Sequence, residues 1–197
     1  MKAAGRPREF DRELALQGAM KVFWAKGFAA TSMEDLVSAM GIGRQSLYNA
    51  FGDKRQLYLE ALRAYQHATT SAHLARLDAP ASPLEGIHDL LAGLAAPDDE
   101  VRALGCMGVG SVCEFGAADA DLARLREKTG RMLARRVLAR LRDGQARSEV
   151  AATLDAEQAA RHVLMTMAGI QVAARGGASV KEIRKMARFA TDQLAAR

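Results

Sequence analysis

Arg44, Gln45, Ser46, Tyr48 and Asn49 are the most chemically specific group in this 197-residue chain. Leu47 and Phe51 stand four apart on one face of a short helix, which turns those five polar residues outward. Arginine and the two amides carry forked hydrogen-bonding groups, the chemistry that reads base edges in a DNA groove, and hydroxyls such as those of Ser46 and Tyr48 suit phosphate oxygens. A helix that presents such a face has to be held in place by others. Ser32 starts the preceding helix as its N-cap, with Asp35 completing a variant capping box. Met33, Leu36, Val37 and Met40 give that helix its apolar stripe, and Gly41 ends it. Ile42 plugs the turn and Gly43 lets the chain bend into the second helix. Residues 31–51 thus spell helix, glycine-bearing turn, helix, the layout of a DNA-reading helix-turn-helix. Helix–Gly–helix patterns also occur in all-α proteins without a DNA partner, so the flanking residues carry weight.

Upstream, Arg12 to Lys26 reads as an amphipathic helix with Leu16, Ala19, Met20 and Phe23 on one face, closed by Gly27 and Phe28. It is the expected third member of a trihelical unit. Downstream, Gly52 and Asp53 start a helix with Leu57, Ala61, Leu62 and Tyr65 on its buried stripe, running to about Leu77. Lys54 falls in its first turn, where backbone N–H groups and a cation together suit a phosphate.

Taken together, Ala19, Phe23, Gly27, Phe28, Thr31, Ser32, Leu36, Gly41, Ile42, Leu47, Tyr48, Phe51, Lys54 and Leu57 resemble the N-terminal pattern of the TetR family of bacterial transcriptional regulators. The likeness covers the first quarter to third of the chain. It implies an all-α protein, with a three-helix helix-turn-helix domain followed by a larger helical ligand-binding and dimerisation domain. On that division residues 1–10 are a flexible basic arm, 11–55 the DNA-binding domain, and 56–197 the remainder. The DNA-contacting set is then Thr31, Ser32, Gly43, Arg44, Gln45, Ser46, Tyr48, Asn49 and Lys54, joined by Arg6 and Arg8 of the arm. The partners implied are a double-stranded operator, a second copy of the chain and a small-molecule effector whose identity the sequence does not give. The implied activity is that of a repressor released from a near-palindromic operator by its ligand. Departures from the family pattern are Val37 for Ala, Gly43 for Ser and Ala50 for His, and the last two remove possible phosphate contacts.

The chain carries a net charge of +5, and within residues 1–55 nine Lys/Arg stand against six Asp/Glu, so the basic excess is enriched at the N-terminal end. That supports a phosphate-facing surface without proving one. The arm around Lys2, Arg6 and Arg8 suits either a minor groove or open solvent. No apolar run approaches the 18 or more residues of a membrane span and the first ten residues hold no signal-like core, so a cytoplasmic protein is expected. His67, His73, His88 and His162 show no metal-like spacing, and no nucleophile with a flanking base is visible, so neither a metal, a cofactor nor catalysis is expected.

Beyond a Pro80–Pro83 loop, helical periodicity recurs near 84–94, 104–115, 121–142, 156–174 and 180–195, with Gly144 and Gly176-Gly177 as punctuation. Ala159, Val163, Met167 and Ile170, with Ile183, Ala187, Ala190 and Leu194, form two apolar stripes. These suit either a four-helix seam between two subunits or packing within one, and the resemblance favours the seam. Gly105, Gly108 and Gly110 beside Cys106, Met107 and Cys113 read as one unusual helical stretch, whose glycines suit either close packing or a cavity. Cys106, Met107, Phe115 and Met165 are the candidate ligand-lining residues. The two thiols fit a core role, favoured by apolar surroundings, or an electrophile sensor of the kind found in some TetR-like proteins. Two rival functions remain at this stage: a relative controlled by a protein partner or organising DNA, without a small ligand, and, more remotely, an all-α enzyme on a helix-turn-helix scaffold.

Overall fold

A computed structural model of the chain describes residues 10–196; Arg6 and Arg8 of the basic arm lie outside them. The described residues hold ten α-helices and no strand, only an isolated bridge between Val150 and Ala195. They are α1 (Arg12–Lys26), α2 (Met33–Met40), α3 (Arg44–Phe51), α4 (Lys54–Asp78), α5 (Pro83–Ala92), α6 (Asp99–Ala103), α7 (Met107–Phe115), α8 (Ala120–Ala146), α9 (Ala156–Arg175) and α10 (Val180–Asp192). The chain divides into two compact units, one ending at Ala64 and the next beginning at Tyr65, so the division falls inside α4.

The first unit is built from local signals that agree with one another. Asp11 caps α1 by accepting from the N–H groups of Glu13 and Leu14. Ser32 and Asp35 form the reciprocal capping box at the start of α2, and Gly41, with φ of 65°, takes the left-handed conformation that ends it. The Asp35 carboxyl also meets Lys26 Nζ at 2.6 Å. The Lys26 contact and the Ser32 N–H together hold its pKa down at about 2. Its grip on α2 is therefore complete above the ordinary carboxylate range and is lost as pH falls toward 2.

Phe23 and Tyr58 meet edge to face at 5.0 Å, and Phe28 meets Tyr58 at 5.3 Å, so α1, the following turn and α4 share one aromatic core. Arg12 spans the same unit: its guanidinium makes two bonds to the Glu60 carboxylate at 2.6 and 2.8 Å and lies 4.4 Å from the centre of the Phe51 ring. Gly18 sets how closely α1 and α2 approach. A Cβ at that position would stand 2.3 Å from the Ala39 carbonyl oxygen.

In the second unit, Leu77, Ile87, Leu90, Leu91, Val137 and Leu141 form a core with the inner faces of α9 and α10. This corrects the expected seam. Ala159, Val163, Met167, Ile170, Ile183, Ala187, Ala190 and Leu194 are all buried inside the chain itself, because α5 and α8 cover them. Periodicity marks a buried stripe without saying what buries it. The stretch from 104 to 115 is not one helix either. Gly105 lies between α6 and α7 with φ of 62°, and Cys106 is the N-cap of α7. Gly144, by contrast, does not interrupt α8. It is buried where a Cβ would stand 2.6 Å from Val150, so it serves close packing and not a turn.

Gly18→Ala tests the crossing of α1 and α2. Alanine is the better helix former by about 1 kcal/mol, yet overpacking against a backbone carbonyl costs about 1–3 kcal/mol. A net loss of stability is expected, read as a lower urea midpoint with an unchanged m-value.

Candidate nucleic-acid interface

Helix α3 is short, and its placement depends on two buried anchors, Leu47 and Phe51. With these inward, Arg44, Gln45, Tyr48 and Asn49 are exposed and Ser46 is half-buried. The outward set read from spacing is therefore brought together on one helix face. In the free protein its polar groups are held by one another. Arg44 pairs with the Glu34 carboxylate of α2. Gln45 donates from Nε2 to Asn49 Oδ1 at 3.0 Å, one turn along the helix. Both contacts lie among exposed side chains, where such pairs exchange readily.

Lys54 opens α4, with its ammonium 4.4 Å from the centre of the Phe28 ring. Asp53 accepts from the Gln56 N–H at 2.8 Å and caps this helix. Ser32 uses its oxygen as a helix cap but keeps an exposed hydroxyl proton to donate. Gly43 is the N-cap of α3 and makes no side-chain cap bond. Thr31 departs from expectation: it is 2% exposed and its hydroxyl donates to the Gly27 carbonyl at 2.5 Å, so its side chain belongs to the α1–α2 turn and not to a phosphate contact.

Sequence reasoning missed Glu34, which neutralises Arg44, and the Arg12–Glu60 clamp. Both pairs join residues far apart in the chain, so no local spacing announces them.

Of the candidate ligand-lining residues, Cys106 and Met107 sit at the start of α7. Tyr65 is buried there. Loss of solvent raises its pKa first, and the neighbouring Cys106 thiol, with which it hydrogen-bonds, raises it further. Its oxygen also accepts from the Met107 N–H, which satisfies a helix-start donor that Cys106 leaves open. Phe115 ends α7 half-buried and Cys113 is exposed. Met165 is 74% exposed on α9, so it lines no interior site. His73, on α4, accepts at Nδ1 from Arg76 at 2.7 Å. Burial, aided by that positive charge, lowers its pKa to about 4, so it is neutral at physiological pH. Although the histidines show no metal-like spacing, the fold brings Glu85, His88 and Asp89 of α5 together, with donor atoms within 4.8 Å of one another.

A capped α2, a short turn and an outward polar helix anchored on a trihelical unit define a DNA-binding transcriptional regulator. Residues 15–61 match the model of the bacterial regulatory proteins of the tetR family. The chain is 41% identical over 130 residues to the HTH-type transcriptional regulator YezE of Bacillus subtilis (strain 168), spanning 66% of this chain and 67% of that one. It is 30% identical over 188 residues to the HTH-type transcriptional repressor ComR of Escherichia coli (strain K12), spanning 94% of this chain and 90% of the repressor. Among solved structures, a cysteine mutant of the TetR family transcriptional regulator CifR, complexed with a 26-bp double-strand operator, superposes with a TM-score of 0.80 at 32% identity. It covers 96% of this chain and 100% of that one. The chain belongs to the TetR family of bacterial transcriptional regulators.

Two substitutions separate reading from positioning on this surface. Gln45→Ala is expected to change the consensus recovered from randomised operators; an unchanged consensus removes Gln45 from base reading. Lys54→Ala is expected to weaken binding evenly across operators and to flatten the salt dependence by about one unit. An unchanged slope takes Lys54 out of the interface.

Proposed function

We propose that this regulator is a homodimeric repressor that holds a near-palindromic operator and is released from it by a small organic ligand. The observation that carries the reading is the division of labour along α9 and α10. Their inner stripes are consumed by the core, yet Met165 and Val172 on α9 and Met186 and Phe189 on α10 remain exposed. A groove of about 340 Å³ runs between the two helices, lined by Thr166, Gly169, Ile170, Ala173, Ile183 and Met186. Gly169, Ala173 and Ala178 keep this groove shallow-walled beside Met186, with Glu182 at its edge, which suits knobs from a second copy, two helices from each subunit forming the seam.

A dimer presents two copies of α3 to successive major-groove faces, about 34–36 Å apart on DNA. Gln45, Asn49 and Arg44 then read bases; Tyr48, Ser46, Ser32, Lys54 and the Gly43 backbone meet phosphates. Ligand bound to the second unit favours conformers with another spacing and draws the population away from DNA. That ComR is a repressor supports the direction of control, and the operator bound to CifR supports the DNA partner. No described helix is long and apolar enough to cross a membrane, in keeping with action on DNA in the cytoplasm. The reading asks for no catalytic step.

Light scattering combined with footprinting tests the proposal. The wild-type particle is expected at twice the 21.2 kDa chain mass, protecting two symmetric half-sites in DNA upstream of its own gene. Met165→Glu with Phe189→Glu is expected to give monomers that lose the operator by at least tenfold in affinity. A dimer undisturbed by these changes moves the seam elsewhere, and a wild-type monomer on a single half-site overturns the reading.

A further inference from the structure

We infer that the effector site ends in a carboxylate-binding pair, Ser111 of α7 and Arg126 of α8, so that the ligand is a small organic monocarboxylate; this rests on the ligand-released repressor proposed above. Ser111 is 1% exposed and its hydroxyl has no hydrogen-bond partner. Arg126 donates from Nη2 to the Gly116 carbonyl at 2.5 Å, at the C-cap of α7, while its Nη1 is buried without a partner. Buried polar groups are nearly always paired, so an open hydroxyl within α7 and an open guanidinium N–H beside its C-cap are each left for an acceptor to fill.

A third donor lies at the other end of α7. Gln66 of α4 is buried, and its side-chain amide meets Thr129 Oγ1 at 3.1 Å, while the Thr129 hydroxyl also reaches the Leu125 carbonyl at 3.2 Å. Gln66 Nε2 would stand 3.9 Å from a Cβ added at Gly108, one turn before Ser111 on α7. The missing side chain at Gly108 leaves that amide edge uncovered. Met107, four residues before Ser111 on the same buried face, is an apolar neighbour for the ligand body.

The chemistry of the set selects the ligand. Arg126 contributes positive charge and the other two groups are neutral donors. A monoanionic carboxylate accepts from the guanidinium N–H and the serine hydroxyl together, leaving the Gln66 amide for a second oxygen on the ligand body. A cationic ligand is repelled by Arg126, and a dianionic phosphate has only one formal positive charge to meet it. A neutral amide of the same shape fills the space but offers no charge to the guanidinium.

The full-length protein on fluorescent operator, challenged with benzoate and octanoate against benzamide and octanamide, tests the inference. At least one carboxylate is expected to release the operator and raise the melting temperature, with its amide at least tenfold weaker. Arg126→Gln and Ser111→Ala are expected to shift the release midpoint at least tenfold. Val112→Ala, at an exposed position on α7, responds as wild type. Ser111→Ala is also expected to raise the melting temperature without ligand, because it removes an unpaired buried hydroxyl, a result that a purely structural serine would reverse. Equal potency of acid and amide, no response to either carboxylate, or unchanged midpoints in both variants overturns the carboxylate site. Release by the amides alone leaves the ligand-released repressor standing, whereas wild type that never holds the operator sinks that reading before any probe is added.

Discussion

The display of α3 depends on a backbone contact between two other helices. At Gly18, α1 lies so close to the last turn of α2 that an added Cβ would stand 2.3 Å from the Ala39 carbonyl oxygen. That approach seats Met40 and Leu36 against α1, and Gly41 then turns the chain where α2 stops. The direction of α3 follows from where α2 ends. A residue of any size at Gly18 pries the helices apart, and a small displacement there is carried to every group that faces outward on α3. The Arg12–Glu60 pair and the Phe23–Phe28–Tyr58 cluster fix α1 to the start of α4, so the crossing is braced at both of its ends.

The outward polar face of α3 is complete in the free protein, and its groups are already in use. Arg44 lies on Glu34, Gln45 on Asn49, and the Lys54 ammonium on the Phe28 ring. All these contacts are exposed or partly so, where ion pairs are worth little and exchange readily. In the proposed complex, binding replaces weak internal partners with phosphates and base edges. On the proposed reading, a wrong sequence that offers Gln45 and Asn49 no matching edge leaves them paired with each other, which reduces the gain from that site and sharpens discrimination.

The second unit applies different rules at the two ends of its helices. Apolar burial organises the side where α5, α8, α9 and α10 meet, and there nearly every inward position is aliphatic or small. Around α7 the interior turns polar, with Tyr65, Gln66, Thr129, Ser111 and Arg126 in place of aliphatic packing. Tyr65 stabilises the first turn of α7 through the Met107 N–H, so the helix is held at its start by a hydroxyl and at its end by a guanidinium. Glycines inside α7 weaken its intrinsic preference for helix.

The N-terminal unit was legible in the chain because its signals are local. Caps lie within three or four residues of the groups they satisfy, the aliphatic anchors of α3 repeat at helical spacing, and the exposed face is what those anchors leave over. Ser32 with Asp35, Leu47 with Phe51, and the outward Arg44, Gln45 and Asn49 could all be placed from spacing. Residues that act through distant partners could not. Arg44 found Glu34 ten positions away and Arg12 found Glu60 across the unit, while Thr31 turned inward to Gly27 within one turn, a choice that spacing alone does not reveal. The stripes of α9 and α10 show the limit most clearly: a period of 3.6 states that Val163 and Ala187 are buried, but only the packing of α5 and α8 decides that the chain buries them itself and leaves Met165 and Phe189 outside. The unpaired donors of Ser111 and Arg126 likewise belong to tertiary structure alone, since a hydrogen bond left unmade is a property of what surrounds a side chain and not of its place in the sequence.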